Sequence, residues 1–245
     1  MQLNTKSIKS HFEKSMDKYD ENAIVQMDSA EKLTFALTQF TNKFENVLEL
    51  GCGTGILTQK LALGLSFSYY YANDLVEKSK NYVSNIIPEN TFLHGNAIKI
   101  KPPKKMDLII SNAMFQWFSN LEDIINHCKS LLNKDGILAF STFGVENFSE
   151  LKDLSGLSLN YLTKEQIENI LKKDFDILHI EEYTYTLEFN NPLELLAHMK
   201  NTGVNSLTSK TWTVKEVKKF CENYLQKYES VKLTYNPIIV IAKAK

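Results

Sequence analysis

Arginine is missing altogether: every one of the 28 basic residues in this 245-residue chain is a lysine. No guanidinium fork is therefore available to grip a carboxylate or phosphate through two parallel hydrogen bonds. Cysteine is scarce as well. Cys52, Cys128 and Cys221 are odd in number, far apart and outside any C-x-x-C pair, which excludes a disulfide framework and fits a reducing cytoplasm. His11, His94, His127, His179 and His198 show no ligand spacing, so no metal is expected. Residues 1–30 lack the apolar stretch of a leader, and no later run is long enough to span a bilayer. A soluble, cytoplasmic protein with no membrane partner is expected. With 29 acidic residues the net charge is −1, so no global attraction draws the chain to nucleic acid. No internal repeat, low-complexity tract or linker is visible.

What is present is ample for a core: 43% of residues are apolar and 11% aromatic, enough for one α/β domain of this length. Strand-forming runs at 46–50, 68–73, 90–95, 106–111 and 136–143 alternate with helical segments near 54–64, 76–87 and 120–132. That alternation predicts a parallel sheet covered on both faces. Lys101-Pro102-Pro103-Lys104 breaks any helix before the fourth strand, and Asn133 to Gly136 reads as the turn feeding the fifth. Thr163 to Gln166 forms a capping box that opens a helix to about Lys172.

Beyond it, Phe175 to Phe189 is one long strand-forming stretch, 192–227 is helical, and Val231 to Ala242 is apolar and β-branched. Two late strands around a helical insertion predict a closing antiparallel pair at one sheet edge, with Pro237 at a bulge or edge position. Ahead of the sheet, Ala23, Met27, Ala30, Leu33 and Leu37 recur at helical spacing. They predict one or two helices packed over the ligand-binding end. The expected organisation is a single domain, 1–245: an N-terminal helical cover at 1–40, a core at 41–190 and 228–245, and a helical lid at 191–227.

The most informative residues are Val47 to Gly55. An apolar strand with one embedded acid, Glu49, runs into Gly51-Cys52-Gly53-Thr54-Gly55, and an amphipathic helix follows. Glycines at alternate positions allow a tight turn and let a ligand touch backbone where a Cβ would block it. About twenty residues further on, a second strand ends in Asp74, placed to accept hydrogen bonds from a ribose diol. Two nucleotide cofactors fit such a loop. The dinucleotide fingerprint wants a glycine at position 56, where this chain has Ile56. A carboxylate close to the loop would also repel a diphosphate, whereas it attracts a cationic ligand or orients the loop around one. S-adenosylmethionine, which carries a sulfonium, an ammonium and a ribose but no phosphate, is the cofactor this pattern favours.

Ligands in open α/β sheets lie beyond the carboxyl ends of the strands. That rule adds Leu75 after Asp74, Asn96 with Ala97 after the third strand, and Asn112 after the fourth. Asn96 would hydrogen-bond an adenine amino group through its carbonyl, or simply form a turn. Past Asn112, Trp117 and Phe118 are either ordinary packing or an aromatic wall at the substrate mouth that excludes water and faces a sulfonium. Tyr19, near the N-terminus, reads in isolation as a half-buried packing residue.

Residues 47–143 as a whole resemble class I S-adenosylmethionine-dependent methyltransferases. The fold this implies is Rossmann-like: a mostly parallel seven-stranded sheet with an antiparallel edge pair, here under a helical lid. The outer segments Phe12–Ala23, Ser111–Trp117, His198–Asn205 and Leu233–Tyr235 look more particularly like malonyl-acyl-carrier-protein O-methyltransferases of biotin synthesis, and the resemblance covers nearly the full length. It implies methyl transfer to the free carboxylate of malonyl held on acyl carrier protein, by a protein expected to be monomeric. Family members often carry an arginine where this chain has Ala197. Contact with the malonyl group would then fall to Tyr19, His198, Lys200 or backbone groups, with Trp117 completing the expected catalytic set. Acyl carrier proteins are acidic, so Lys210, Lys215, Lys218 and Lys219, or Lys99, Lys101, Lys104 and Lys105, would serve as a docking rim. Competing readings are a methyltransferase for a small free acid, a nucleotide-binding oxidoreductase, and a non-catalytic cofactor-binding protein.

Overall fold

The chain opens with two helices, α1 (Thr5–Asn22) and α2 (Ile24–Thr38), before the first strand. The structure is a computed structural model and describes residues 5–203 and 212–245. Strand and helix then alternate: β1 (Lys43–Leu50), α3 (Ile56–Gly64), β2 (Ser66–Asp74), α4 (Ser79–Ile86), β3 (Asn90–His94), β4 (Met106–Ser111), α5 (Leu121–Leu131) and β5 (Leu132–Phe143). Next come α6 (Ser149–Ser155), α7 (Lys164–Leu171), β6 (Phe175–Glu182), β7 (Tyr185–Phe189), α8 (Pro192–Asn201), α9 (Val214–Lys227), β8 (Val231–Tyr235) and β9 (Pro237–Ala244).

Seven strands form one sheet in the order β3-β2-β1-β4-β5-β9-β6. β1 runs parallel to β2 and β4, and β4 to β5, while β9 is antiparallel to both β5 and β6. The reversal of strand order between β1 and β4 opens a crevice at their carboxyl ends. Successive residues of the inner strands point to opposite faces, so both faces are apolar. Leu48, Leu50, Ile109, Leu138 and Phe140 pack on one side with Ile124 and Ile125 of α5. Val47, Leu108, Ile110 and Ala139 pack on the other with Leu33 and Leu37 of α2 and Leu57 and Leu61 of α3.

Three expectations need correction. The long stretch 175–189 breaks into β6 and β7, and the last one breaks at Asn236 into β8 and β9. β7 and β8 pair with each other in a separate two-stranded sheet, which joins α8 and α9 around Phe220, Tyr224 and Leu233. Pro237 is at neither an edge nor a bulge: it is the first residue of β9, an inner strand, paired with Phe143. A strand's first position tolerates proline because the missing N–H falls where the ladder begins. Finally, Asn133 to Gly136 does not precede β5 but is absorbed into it. Asp135 takes a left-handed φ of 62°, and the register with β4 shifts between Met106 and Leu108, so the turn residues form a bulge.

Candidate active site

The glycine loop follows directly from β1. Gly51 and Cys52 donate their N–H groups to the Asn73 carbonyl, at 2.8 and 3.0 Å. Gly51, Gly53 and Gly55 have φ of 70°, 54° and 88°, all left-handed and costly for any residue with a Cβ. The three differ in their surroundings. A Cβ on Gly51 would lie 2.7 Å from Met114 Cγ and one on Gly55 2.6 Å from Ile86 Cδ1, whereas one on Gly53 meets nothing within 4 Å. Gly51 and Gly55 are thus packed against the fold, and Gly53 presents bare backbone to open space.

That space is a cavity of about 340 Å³ over the carboxyl ends of β1, β2 and β4. Gly51, Cys52, Gly53, Asp74, Leu75, Asn96, Ala97, Asn112, Tyr19 and Trp117 all line it; Gly55 and Glu49 lie just behind the loop. Asp74 Oδ2 accepts from Gly53 N–H at 2.9 Å and Oδ1 from Val76 N–H at 2.8 Å. Burial raises the Asp74 carboxyl above the usual range, opposed by the backbone donors at Val76 and Gly53.

Glu49 does not face the cavity. It accepts hydrogen bonds on Oε2 from Thr58 at 2.6 Å and from the Tyr70 hydroxyl, while Oε1 has no partner. Burial pushes its carboxyl up to about 7. Of the two alternatives for this acid, its contacts match the one in which it braces the loop from behind, fastening α3 and β2 to β1.

Asn96 and Asn112 are both committed to the fold. Asn96 Oδ1 accepts from Ile98 N–H at 3.2 Å, capping a short 3₁₀ turn, Ala97–Lys99. Its turn-forming role is therefore real, and its amide N–H₂ is the group better placed to meet a ring acceptor than an amino group. Asn112 takes hydrogen bonds on Oδ1 from Ser29 at 2.9 Å and Ser141 at 2.5 Å, and donates to the Gln26 carbonyl at 2.9 Å. It clamps α2 to the ends of β4 and β5. The following residue, Ala113, holds a left-handed φ of 51°, with its N–H donated to Ser141 Oγ at 2.8 Å.

The expected catalytic residues separate into two pairs. Tyr19 and Trp117 reach the cavity, bridged by Phe12, whose ring lies 6.0 Å from that of Tyr19 and 5.7 Å from that of Trp117. Burial, with the charges of Asp20 and Asp74, raises the Tyr19 phenol well above its ordinary value, so it stays a neutral hydrogen-bond donor. His198 and Lys200 do not line the cavity. Lys200 is exposed on α8. His198 is buried, with Nε2 2.7 Å from the Tyr235 hydroxyl, and burial lowers its imidazole to about 4. A neutral ring behind a tyrosine offers no positive charge to an acid.

Sequence reasoning named Tyr19 but missed the rest of the inner face of α1. Ile8, Phe12, Met16 and Tyr19 all border the cavity, and their spacing along the chain is that of one helix face. α1 is fastened across the cavity by two polar contacts, Thr54 Oγ1 to Asp20 at 2.5 Å and Lys78 Nζ to Asp17 at 2.5 Å. Among the described residues no cluster could hold a metal ion, and no helix is long and apolar enough to cross a membrane.

A cavity at the switch point, with a glycine loop at its floor and a ribose-spaced acid at its side, is the arrangement of a class I methyltransferase fold. The family model for a methyltransferase domain matches residues 19–174. Among solved structures, the N-methyltransferase NodS of Bradyrhizobium japonicum, in complex with S-adenosyl-L-homocysteine, superposes with a TM-score of 0.61 at 10% identity, over 97% of this chain and 98% of that one. Magnesium protoporphyrin IX methyltransferase of Synechocystis gives 0.55 at 16%, over 90% of this chain and 83% of that one. These two share the fold.

Sequence relatives are more particular. Malonyl-[acyl-carrier protein] O-methyltransferase of Bacteroides thetaiotaomicron is 36% identical over 99% of both chains. Its counterpart in Haemophilus influenzae is 34% identical over 96% of this chain and 93% of its own length. The chain belongs to the malonyl-[acyl-carrier protein] O-methyltransferase family.

Proposed function

We propose that the chain moves a methyl group from S-adenosylmethionine to the free carboxylate of a malonyl group on acyl carrier protein, an early step toward the pimeloyl chain of biotin. One observation carries this reading: the match to malonyl-[acyl-carrier protein] O-methyltransferases spans 99% of both chains, and it includes the elements that enclose the cavity. The cofactor would supply a methyl group activated on a cationic sulfur.

The bare backbone at Gly53 and the carboxylate of Asp74 fit the sugar of such a ligand, with no phosphate to be repelled by Asp74. The acceptor asks little of the protein. A carboxylate is ionised far below neutrality, with an ordinary pKa of about 4, so no base has to be provided. The remaining work is alignment and exclusion of water. Phe12, Met16 and Tyr19 of α1 and Trp117 give the cavity an apolar roof for that purpose.

For the carrier protein, α9 offers Lys215, Lys218 and Lys219, all exposed; Lys210 lies outside the described residues. Lys218 lies 3.8 Å from Glu222 on the same helix; in the other group Lys104 lies 3.7 Å over the Tyr69 ring and Lys105 donates to the Ser130 carbonyl. The three lysines on one helix make the α9 face the docking surface this reading favours for an acidic partner.

The test is direct. Labelled methyl from S-adenosylmethionine should appear on malonyl-acyl carrier protein, and the gene should restore growth to a biotin-requiring strain lacking this step. Equal turnover of a small free diacid, or no label on the carrier protein, would overturn the assignment.

A further inference from the structure

A second, smaller chamber adjoins the main cavity, and the two share Tyr19, Gln26 and Trp117 as a partition. On its far side stand Asn147, Tyr161 and Tyr235. The chamber is small, about 20 Å³ beside about 340 Å³ for the main cavity.

Its polar lining has a definite sign. The Tyr161 hydroxyl accepts a hydrogen bond from Asn147 Nδ2 at 2.8 Å, so its own hydrogen is left to point elsewhere. Burial raises that phenol well above its ordinary value, which keeps it a donor. Tyr19, on the partition, is likewise a neutral donor. Gln26 is 5% exposed and its Oε1 has no partner. Among the described residues no charged side chain lines the chamber. Behind it, His198 is neutral and Lys200 points to solvent.

Given the carboxyl methyl transfer proposed above, we infer that this chamber receives the acceptor carboxylate and that the Tyr161 and Tyr19 hydroxyls hold it there, with no cation involved. In the reaction an oxygen lone pair of the carboxylate forms the new C–O bond, the C–S bond breaks, and its electron pair stays on sulfur; no proton moves. Charge disappears on both sides as the bond forms. A cation on the acceptor oxygens would stabilise the ground state more than the transition state and so slow the step. Neutral donors bind the acid while giving up less as its charge is lost, which accounts chemically for a family member that works without arginine.

The experiment compares wild-type protein with Tyr161→Phe, a change that removes one hydroxyl and keeps the ring. With malonyl-acyl carrier protein, kcat/KM should fall about tenfold to a hundredfold, the usual loss when a hydrogen bond to a charged group is removed. Affinity for S-adenosylhomocysteine, read by calorimetry, should stay within twofold. Tyr161→Ala supplies a second readout that survives partial loss of folding, the ratio of malonyl to succinyl carrier protein turned over. That ratio should fall as the chamber enlarges. An unchanged kcat/KM in Tyr161→Phe, or an unchanged ratio in Tyr161→Ala, would overturn the assignment of this chamber. A wild-type protein that binds S-adenosylhomocysteine yet methylates no malonyl carrier protein would instead defeat the functional reading itself.

Discussion

Gly53→Ala separates the glycine loop's binding role from its folding role more cleanly than any other single change. The new methyl group would enter space where nothing lies within 4 Å, so no packing penalty accompanies it. What remains is the left-handed backbone, φ 54°, which costs a non-glycine residue about 1–2 kcal/mol. For a domain of this size each kcal/mol moves Tm by about 2–4 °C, so the ligand-free variant should melt about 2–8 °C below wild type. Gly51→Ala and Gly55→Ala carry the same strain plus contacts of 2.7 and 2.6 Å, and overpacking adds about 1–3 kcal/mol to each. The binding effect runs the other way. At a hundredfold excess over Kd, S-adenosylhomocysteine should stabilise wild type by about 2.7 kcal/mol, or about 5–10 °C. In Gly53→Ala the methyl group would stand where the ligand must approach the backbone, and this gain should shrink or vanish. Differential scanning fluorimetry with and without ligand, backed by calorimetric Kd values, measures both effects. A Gly53→Ala variant whose ligand-induced shift and Kd match wild type would show that no ligand approaches this loop.

Three further changes test other parts of the site. Glu49, raised to about 7 by burial, holds its proton in the folded state to higher pH than in the unfolded state. Its contribution is therefore complete below its ordinary value and lost as pH rises through 7, about 3 kcal/mol in all. Glu49→Gln should flatten the fall in Tm between pH 5 and pH 8, and an unaltered slope would exclude a protonated Glu49. Asn112→Ala strands the Ser29 and Ser141 hydroxyls and the Gln26 carbonyl; it should cost about 2–4 kcal/mol, measured by urea denaturation, and a loss under 0.5 kcal/mol would remove its role as a clamp. Lys215, Lys218 and Lys219 changed together to Glu should raise KM for malonyl-acyl carrier protein and spare a free malonyl thioester. Equal effects on both substrates would dismiss docking on α9.

The fold was legible wherever a local pattern has one physical solution. Alternating strand and helix periods allow only a parallel sheet covered on both faces, and β1 to β5 lie where those periods put them. The breaks came where tertiary pairing decides. Nothing local says that Tyr183 and Thr184 interrupt a strand, because both are good strand formers. The interruption arises because β6 pairs with β9 while β7 pairs with β8, and a continuous strand could not serve two sheets. Pro237 misled for a related reason: proline's missing N–H excludes it from a strand's interior but not from its first residue.

At the site, the residues whose position follows the expectation are those whose backbone is the message. Gly51 and Gly53 in left-handed turns and Asp74 at the end of β2 border the cavity because loop geometry leaves them no alternative. Side chains whose partners lie far away in sequence could not be read this way. Asn112 bonds to Ser29 and Ser141, 83 and 29 residues distant, and so becomes a clamp; His198 meets Tyr235, 37 residues on, and so becomes a neutral prop. The absence of arginine raised the question of what holds the acid, and of the side chains named for it, Tyr19, His198 and Lys200, only Tyr19 lines the cavity. On the proposed reading hydroxyls hold the acid instead, and a reaction that consumes an anion and a cation together gains more from donors that bind weakly and exclude water than from a positive charge that would hold the acid in its unreacted state.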